Sequence, residues 1–310
     1  MKYQEPIVSV ILPTYNRADI IERSIRSVLQ QTFTNFELLI VDDASIDNTD
    51  IVVKNIEDPR IKYIKCVENK GANAARNIGI QVAQCDYIAF QDSDDEWYID
   101  KLEKQIKIMQ NSLSSVGVVY SGYWRVEDNK KTYIPTKSTA QLEGDISSEL
   151  LKQNFIGTPT MLIRKECFKK VGTFDEKLPR FQDWELAIRL SKHYHFKYIN
   201  EATMNAYIQT DSLTSNQQAQ LIAYKMIFEK YYNDFSKDKK LLIRSHENLG
   251  IQSYLNGNDK EGKYYLWKAY KVNPLNFKLL LKYILILSDV RIYKKVQKTY
   301  QFLSHKQKKV

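Results

Sequence analysis

Four carboxylates stand within five residues of this 310-residue chain, directly after a short apolar run. Residues 87–90 are apolar, and Asp92, Asp94, Asp95 and Glu96 follow them. Carboxylates this close repel one another unless a cation or hydrogen-bond donors hold them, so a divalent metal is a natural partner. The Asp-x-Asp pair suits a metal that bridges a diphosphate. An isolated pair is a weak signal, however, because acids also favour helix N-termini.

Further polar residues follow two other predicted strands. Residues 13–16 come after the apolar residues 7–12, and Asp43 comes after residues 36–41. The carboxyl ends of parallel strands lie on one edge of a sheet, and open α/β sheets bind ligands at that edge. We therefore predict that these residues converge with the Asp-x-Asp pair on one ligand, where Asp43 would hydrogen-bond a base or a ribose.

A third motif favours phosphate. Residues 69–79 form a Gly-containing loop that opens a predicted helix, with Lys70 in the loop and Arg76 in the helix. Helix N-termini and basic side chains both attract phosphate. The chain has no Gly-Lys-Ser/Thr loop and no Gly-x-Gly-x-x-Gly after its first strand, which argues against a nucleoside triphosphatase and a dinucleotide dehydrogenase. The simpler alternative is a surface helix with a solvated Arg76.

Asp183 is the candidate for acid–base chemistry. It follows a loop that contains Gly172 and Pro179, and it begins a predicted helix beside Trp184. The residues alone support a general base and a helix N-cap equally well.

These residues need a framework of alternating strands and helices. Apolar runs predict strands at residues 7–12, 36–41, 60–65, 87–90, 116–124, 160–163, 195–199 and 203–208. Helical patterns lie between them, with buried stripes such as Ala74, Ala75, Ile78 and Val82. This alternation predicts an α/β fold with a mostly parallel sheet flanked by helices. Residues 129–153 are polar and predicted to be irregular.

Beyond residue 215 only helices are predicted, at residues 217–232, 239–255, 259–272 and 276–303. Residues 249–274 resemble one tetratricopeptide unit, in which two helices are closed by a proline. One such unit cannot bury its own apolar face, so we expect it to pack on neighbouring helices. It would then serve as a helical lid or as an element of a homodimer, and a peptide-binding groove is the alternative. We therefore predict two domains, residues 1–214 and 215–310.

The motifs together resemble the family 2 glycosyltransferases, which are inverting enzymes with the GT-A fold. The resemblance is carried, in the right order, by residues 8–17, 41–45, 69–71, 75–79, 90–97, 172–176 and 182–190. It covers residues 6–213. One departure occurs at Gln182, where the family usually has Glu before the catalytic Asp.

The resemblance implies a role for each residue at the predicted sheet edge. Nucleotide-binding residues would be Pro13, Tyr15 and Asp43 for the base and ribose, and Lys70, Arg76 and Asp92 near the phosphates. Asp94 together with Asp92 would hold Mn²⁺ or Mg²⁺, and Asp183 would be the catalytic base. Thr158 and Trp184 would border the acceptor, although core packing is the commoner role of a Trp.

The expected function is therefore metal-dependent transfer of a sugar from a nucleoside diphosphate sugar to an acceptor hydroxyl, in cell-surface polysaccharide or glycoconjugate synthesis. The resemblance implies that the nucleotide of the donor is UDP. The acceptor would be a carbohydrate, a lipid-linked glycan or a protein-linked glycan. A catalytically silent, nucleotide-sugar-binding scaffold and a protein-glycosylating transferase remain alternatives. A nucleotidyltransferase would release pyrophosphate instead of a nucleoside diphosphate.

Charge and cysteine content bear on location. The net charge is +9, but the segment from Lys278 onward holds nine basic residues and one acidic residue and so carries +8 by itself. We expect residues 278–310 either to bind an anionic membrane surface or to be a solvated basic end, and we expect no nucleic-acid partner. Three sparse cysteines, the lack of a leader-like or membrane-spanning run, and four scattered histidines predict a cytoplasmic protein without a zinc site. The inner face of the plasma membrane is the expected site of action.

Overall fold

The computed structural model describes residues 5–128, 130–136, 139–208 and 217–287. The chain divides into two compact units, residues 1–215 and residues 216–310. The first unit contains all the strands of the described residues, and the second contains only helices there.

The first unit is built on one sheet of nine strands. These are β1 (Val8–Thr14), β2 (Phe36–Asp42), β3 (Ile61–Lys65), β4 (Tyr87–Phe90), β5 (Glu96–Trp97), β6 (Val116–Glu127), β7 (Lys130–Ile134), β8 (Met161–Arg164) and β9 (His195–Tyr207). Their order is β3-β2-β1-β4-β8-β6-β9-β5, and β7 pairs with β6. β1 to β4 are parallel, which confirms the α/β prediction for this half. The sheet as a whole is mixed rather than mostly parallel, because β8 runs antiparallel to both β4 and β6.

Within the described residues, seven α-helices flank this sheet. They are α1 (Ile21–Leu29), α2 (Thr49–Lys54), α3 (Ala72–Val82), α4 (Lys101–Gln110), α5 (Ser147–Lys152), α6 (Lys165–Val171) and α7 (Gln182–Ser191). β1 and β2 are buried along their whole length, as expected for parallel strands covered on both faces. The segment predicted to be irregular, residues 129–153, in fact contributes β7 and α5. The two predicted final strands are one long strand, β9.

The face that α3 buries differs from the predicted one. Ala74 and Ala75 are buried as expected, but Val82 is 43% exposed, and Gly79 and Ile80 are buried instead. Gly79 lies directly on β1, since a Cβ built there would stand 2.4 Å from Cγ2 of Ile11. The pattern of large apolar residues did not predict the buried face of α3 correctly, because the closest contact of this helix with β1 is made by a glycine, which has no side chain.

The second unit contains α8 (Gln217–Lys230), α9 (Tyr232–Ser236), α10 (Lys239–Leu255), α11 (Asp259–Val272) and α12 (Phe277–Leu287). The chain reverses between α10 and α11, as predicted from the tetratricopeptide-like pattern. Tyr254, Leu266 and Ile286 form a core between α10, α11 and α12. The predicted helix over residues 276–303 is described only as far as Leu287, and the rest lies outside the described residues. No helix in the described part of the chain has the length and apolar character needed to cross a bilayer.

Candidate active site

The register of the parallel strands aligns the predicted site residues. Thr14 pairs with Asp42, and Ile11 pairs with Phe90, so the residues that follow β1, β2 and β4 emerge at the same edge of the sheet. This is the convergence that the sequence predicts for residues 13–16, Asp43 and Asp92.

At the centre of this edge lies an ion pair between helix α3 and the end of β4. Arg76 Nη2 donates to Asp92 Oδ1 at 2.6 Å, and the Arg76 side chain is only 5% exposed. The alternative of a solvated Arg76 is therefore wrong. Nε and Nη1 of Arg76 are buried and have no hydrogen-bond partner among the described residues. A buried guanidinium with two unused donors is suited to an anionic ligand.

The segment that carries the acids is fixed by contacts with its backbone and with Asp95. The backbone carbonyl of Asp94 accepts from Arg23, and the backbone carbonyl of Asp92 accepts from Ser24 Oγ at 2.7 Å. Asp95 is buried and accepts from the Tyr207 amide at 3.1 Å. The alternative that these acids begin a helix is wrong, because α4 begins only at Lys101.

Asp92 and Asp94 fit the chemistry of a divalent metal. Burial raises the pKa of Asp94, and the neighbouring Asp92 carboxylate raises it further, which is the repulsion that a cation relieves. Carboxylate oxygens are ligands that Mg²⁺ and Mn²⁺ prefer. In the described part of the chain no three His, Cys, Asp or Glu side chains form a complete metal cluster. The pair would therefore supply only part of a coordination shell.

The predicted nucleotide side contains residues of contrasting exposure. The Asp43 carboxylate accepts from the amides of Lys70 at 2.9 Å and Gly71 at 2.7 Å, and so fixes the loop that opens α3. Pro13 is buried, whereas Tyr15 is 43% exposed. The Lys70 ammonium is exposed and pairs with Glu68 at 2.8 Å. These five residues lie around the same sheet edge, but of the five only Tyr15 and Lys70 are exposed.

Asp183 lies at the start of α7, next to a strained residue. Phe181 has a left-handed backbone with φ of 61° and occupies the N-cap position, so the alternative of Asp183 as N-cap is wrong. Asp183 Oδ1 accepts from Asn154 Nδ2 at 3.1 Å and from the Trp184 amide at 2.7 Å. Left-handed backbone at a bulky residue is uncommon and concentrates at functional sites.

The pKa of Asp183 is raised to about 6. Burial is the largest cause and the Asp92 carboxylate adds to it, while the Trp184 and Asn154 hydrogen bonds and the Arg76 charge oppose the shift. Asp183 thus interacts electrostatically with the Arg76–Asp92 pair. A carboxylate with a pKa near neutrality is suited to accept a proton.

The two predicted acceptor residues are not on the surface. Trp184 is 3% exposed, and its indole N–H donates to the backbone carbonyl of Leu150. Thr158 is also 3% exposed, in the short 3₁₀ turn Thr158–Thr160. Both side chains pack inside the unit and offer little exposed surface to an acceptor, and their role at the acceptor stays a prediction. The alternative of core packing for Trp184 is confirmed.

Several positioning residues escaped the sequence analysis. Asn154 lies in a polar segment without a motif, so nothing in the sequence marked its contact with Asp183. Asn77 exchanges hydrogen bonds with the Phe174 backbone at 2.9 and 3.0 Å, and Asn73 donates to the carbonyls of Asp175 and Leu178. Helix α3 therefore fixes the loop that leads to Asp183. Asn77 lies inside the motif at residues 75–79, which was a signal that could have marked it.

The described geometry is that of a GT-A glycosyltransferase, and comparisons with known proteins agree with it. The family described as "Glycosyl transferase family 2" matches residues 9–172. The chain belongs to this family.

Two similar proteins are glycosyltransferases with named roles. The chain is 34% identical to the putative teichuronic acid biosynthesis glycosyltransferase TuaG of Bacillus subtilis, over 69% of this chain and 83% of that protein. It is 35% identical to the UDP-Glc:alpha-D-GlcNAc-diphosphoundecaprenol beta-1,3-glucosyltransferase WfgD of Escherichia coli, over 63% of this chain and 73% of that protein. The chain is thus a glycosyltransferase with relatives in polysaccharide synthesis.

Solved structures share the fold. TarS from S. aureus in complex with UDP-GlcNAc aligns with a TM-score of 0.66 and 19% identity, over 86% of this chain and 81% of that chain. The mannosyltransferase PcManGT from Pyrobaculum calidifontis, in complex with GDP-Man and Mn²⁺, aligns with a TM-score of 0.61 and 16% identity, over 96% and 81%. At these identities the likeness is one of fold.

Proposed function

We propose that this glycosyltransferase moves a sugar from a UDP-sugar to a hydroxyl of a glycan acceptor, with inversion at the anomeric carbon, in cell-surface polysaccharide or glycoconjugate synthesis. The observation that carries the proposal is Asp183, a half-buried carboxylate that accepts a hydrogen bond from Asn154, has a pKa of about 6 and interacts electrostatically with the Arg76–Asp92 pair. The activity of the E. coli relative WfgD supports a UDP-sugar donor and a lipid-linked acceptor. The three cysteines are free and two are buried, which fits a cytoplasmic location.

In this reaction Asp183 takes the proton of the acceptor hydroxyl as that oxygen attacks the anomeric carbon. The new glycosidic bond forms on one face of the sugar while the bond to the diphosphate breaks on the other. A general base of this kind is typically worth about 10²–10⁴-fold in rate. Asn154 holds one oxygen of Asp183 and so sets the direction in which the other can accept.

The leaving nucleoside diphosphate needs positive charge. The two unused donors of Arg76 are suited to a diphosphate oxygen, and Lys70 adds a flexible charge at the rim. Asp92 and Asp94 would hold the divalent metal. When bound, this metal would neutralise charge that develops on the diphosphate.

The test is Asp183→Asn, which keeps the shape of the side chain and removes the base. We expect the transfer rate to fall by at least about a hundredfold, with donor affinity nearly unchanged. The matched control is Asp86→Asn, an exposed carboxylate before β4 at the far end of the strand, which should keep the wild-type rate. A wild-type transfer rate for Asp183→Asn would show that the base is misassigned.

Product analysis separates the alternatives. Proton NMR of the product from a UDP-sugar should show the anomeric configuration inverted, and the released nucleotide should be UDP. Pyrophosphate release would indicate a nucleotidyltransferase instead. Donor binding without turnover, in the presence of carbohydrate, lipid-linked and protein-linked acceptor fractions, would indicate a scaffold.

A further inference from the structure

The helical unit carries an exposed apolar face that its own core does not use. On α12, Leu279 and Ile286 are buried at 2% and 0% exposure. On the opposite face Phe277, Leu281, Ile284 and Leu287 are 73%, 48%, 52% and 53% exposed. These four residues are spaced four, three and three positions apart, so they form one stripe along the helix. We call it the α12 stripe.

An aromatic rim borders this stripe. Trp267 of α11 is 38% exposed, and its ring lies 5.5 Å from the ring of Tyr283 on α12 and 5.7 Å from the ring of Tyr270. Lys271 lies over the Trp267 ring at 5.2 Å. Amphipathic Trp and Tyr rings of this kind favour the boundary between water and lipid headgroups.

The positive charge of the helical unit favours an anionic lipid surface over a second copy of the chain as the partner of the α12 stripe. The described residues 217–287 hold twelve Lys or Arg and six Asp or Glu, a net charge of +6 by sequence, and the exposed Lys278 lies on α12 itself. A second copy of this chain would meet the helical unit with the same net charge, and like charges would oppose that contact. An anionic lipid surface attracts the basic residues that lie near it. Lys282 is engaged by Glu247 on the inner side of the helix and does not interrupt the stripe.

We propose that the α12 stripe and its aromatic rim dock on an anionic lipid bilayer, with α12 lying in the plane of the interface. The apolar side chains enter the boundary between headgroups and acyl chains, while the exposed Lys271 and Lys278 contact the anionic headgroups. This proposal rests on the helical unit and is independent of the sugar donor and of the catalytic base.

The experiment is flotation of the full chain with phosphatidylcholine vesicles, with and without phosphatidylglycerol. We expect binding only to the anionic vesicles, and binding that weakens as salt is added. Ile284→Glu should lower the partition coefficient by about tenfold or more. The matched control is Ile222→Glu, since Ile222 is 45% exposed on α8 and lies off the stripe. It should float like the wild type, and both variants should keep the wild-type thermal unfolding curve.

Three results would overturn the proposal. One is equal flotation with neutral vesicles or no flotation at all. Another is Ile284→Glu binding anionic vesicles as well as Ile222→Glu does. The third is a dimer in sedimentation velocity that Ile284→Glu dissociates without any vesicle binding, because the stripe would then be a contact between two copies of the chain.

Discussion

The groups around the Asp183 carboxylate move its pKa in opposite directions. One of the contacts that lower it is the hydrogen bond from the Asn154 side chain. Burial and the Asp92 charge raise the pKa, while the donor from Asn154 lowers it. A general base works only when ionised, so kcat/KM should rise with pH through about 6 and then level off. Asn154→Ala removes a lowering contact and should shift this acid limb to higher pH.

The measurement is kcat/KM between pH 5 and 8 for the wild type, Asn154→Ala and the control Gln153→Ala. Gln153 is the neighbouring residue, and its side chain donates to Thr139 rather than to Asp183. We expect its acid limb to match that of the wild type. If Asn154→Ala lowers the rate equally at every pH, then Asn154 supports the local structure without tuning the base.

At the scale of elements, the close approach of α3 to β1 explains how the phosphate-side residues are positioned. Gly79 permits this approach, and Arg76 lies one turn earlier on the same helix. Gly79→Ala gains about 1 kcal/mol of helix propensity. It also forces a Cβ to within 2.4 Å of Ile11 Cγ2, on a strand bonded to neighbours on both sides, and overpacking of this kind costs about 1–3 kcal/mol.

We therefore expect Gly79→Ala to lower the free energy of unfolding by up to about 2 kcal/mol, measured by urea denaturation. The double variant with Ile11→Ala should cost less than the sum of the two single changes, because Ile11→Ala removes the clashing atoms. A more stable Gly79→Ala protein would mean that α3 can move away from β1 without penalty.

The same scale shows what the sequence could predict and what it could not. Local signals placed β1, β2, α10 and α11 within two residues, because buried strands and amphipathic helices carry their own periodicity. Sheet order could not be predicted in this way, since the antiparallel pairing of β8 depends on contacts distant in sequence. At the site, motif residues such as Arg76 and Asp92 were predicted, whereas the burial of Trp184 and the contact of Asn154 depend on packing that no local pattern records.

At the scale of the whole molecule, the residues proposed for catalysis lie in one unit, and the other unit has its own core. Every residue proposed to act on the donor or on the acceptor proton lies in residues 1–215, whereas residues 216–310 have a separate core around Tyr254, Leu266 and Ile286. Units with separate cores often unfold in separate steps. A ligand stabilises only the unit whose native state binds it.

Calorimetry should therefore show two unfolding transitions, of which UDP with Mn²⁺ shifts only one. At a ligand concentration about 100 times its Kd the gain in the free energy of unfolding is about 2.7 kcal/mol, which raises the Tm of a unit this size by roughly 5–10 °C.

Leu266→Ala, in the helical core, should lower the Tm of the other transition and so assign that transition to the helical unit. EDTA or Asp94→Ala should remove most of the shift, whereas Asp145→Ala, an exposed carboxylate before α5, should leave it intact. A shift of both transitions would contradict this separation of the two units, because ligand binding would then couple them into one cooperative structure. A shift that survives EDTA would also contradict it, because the nucleotide would then bind without the metal pair.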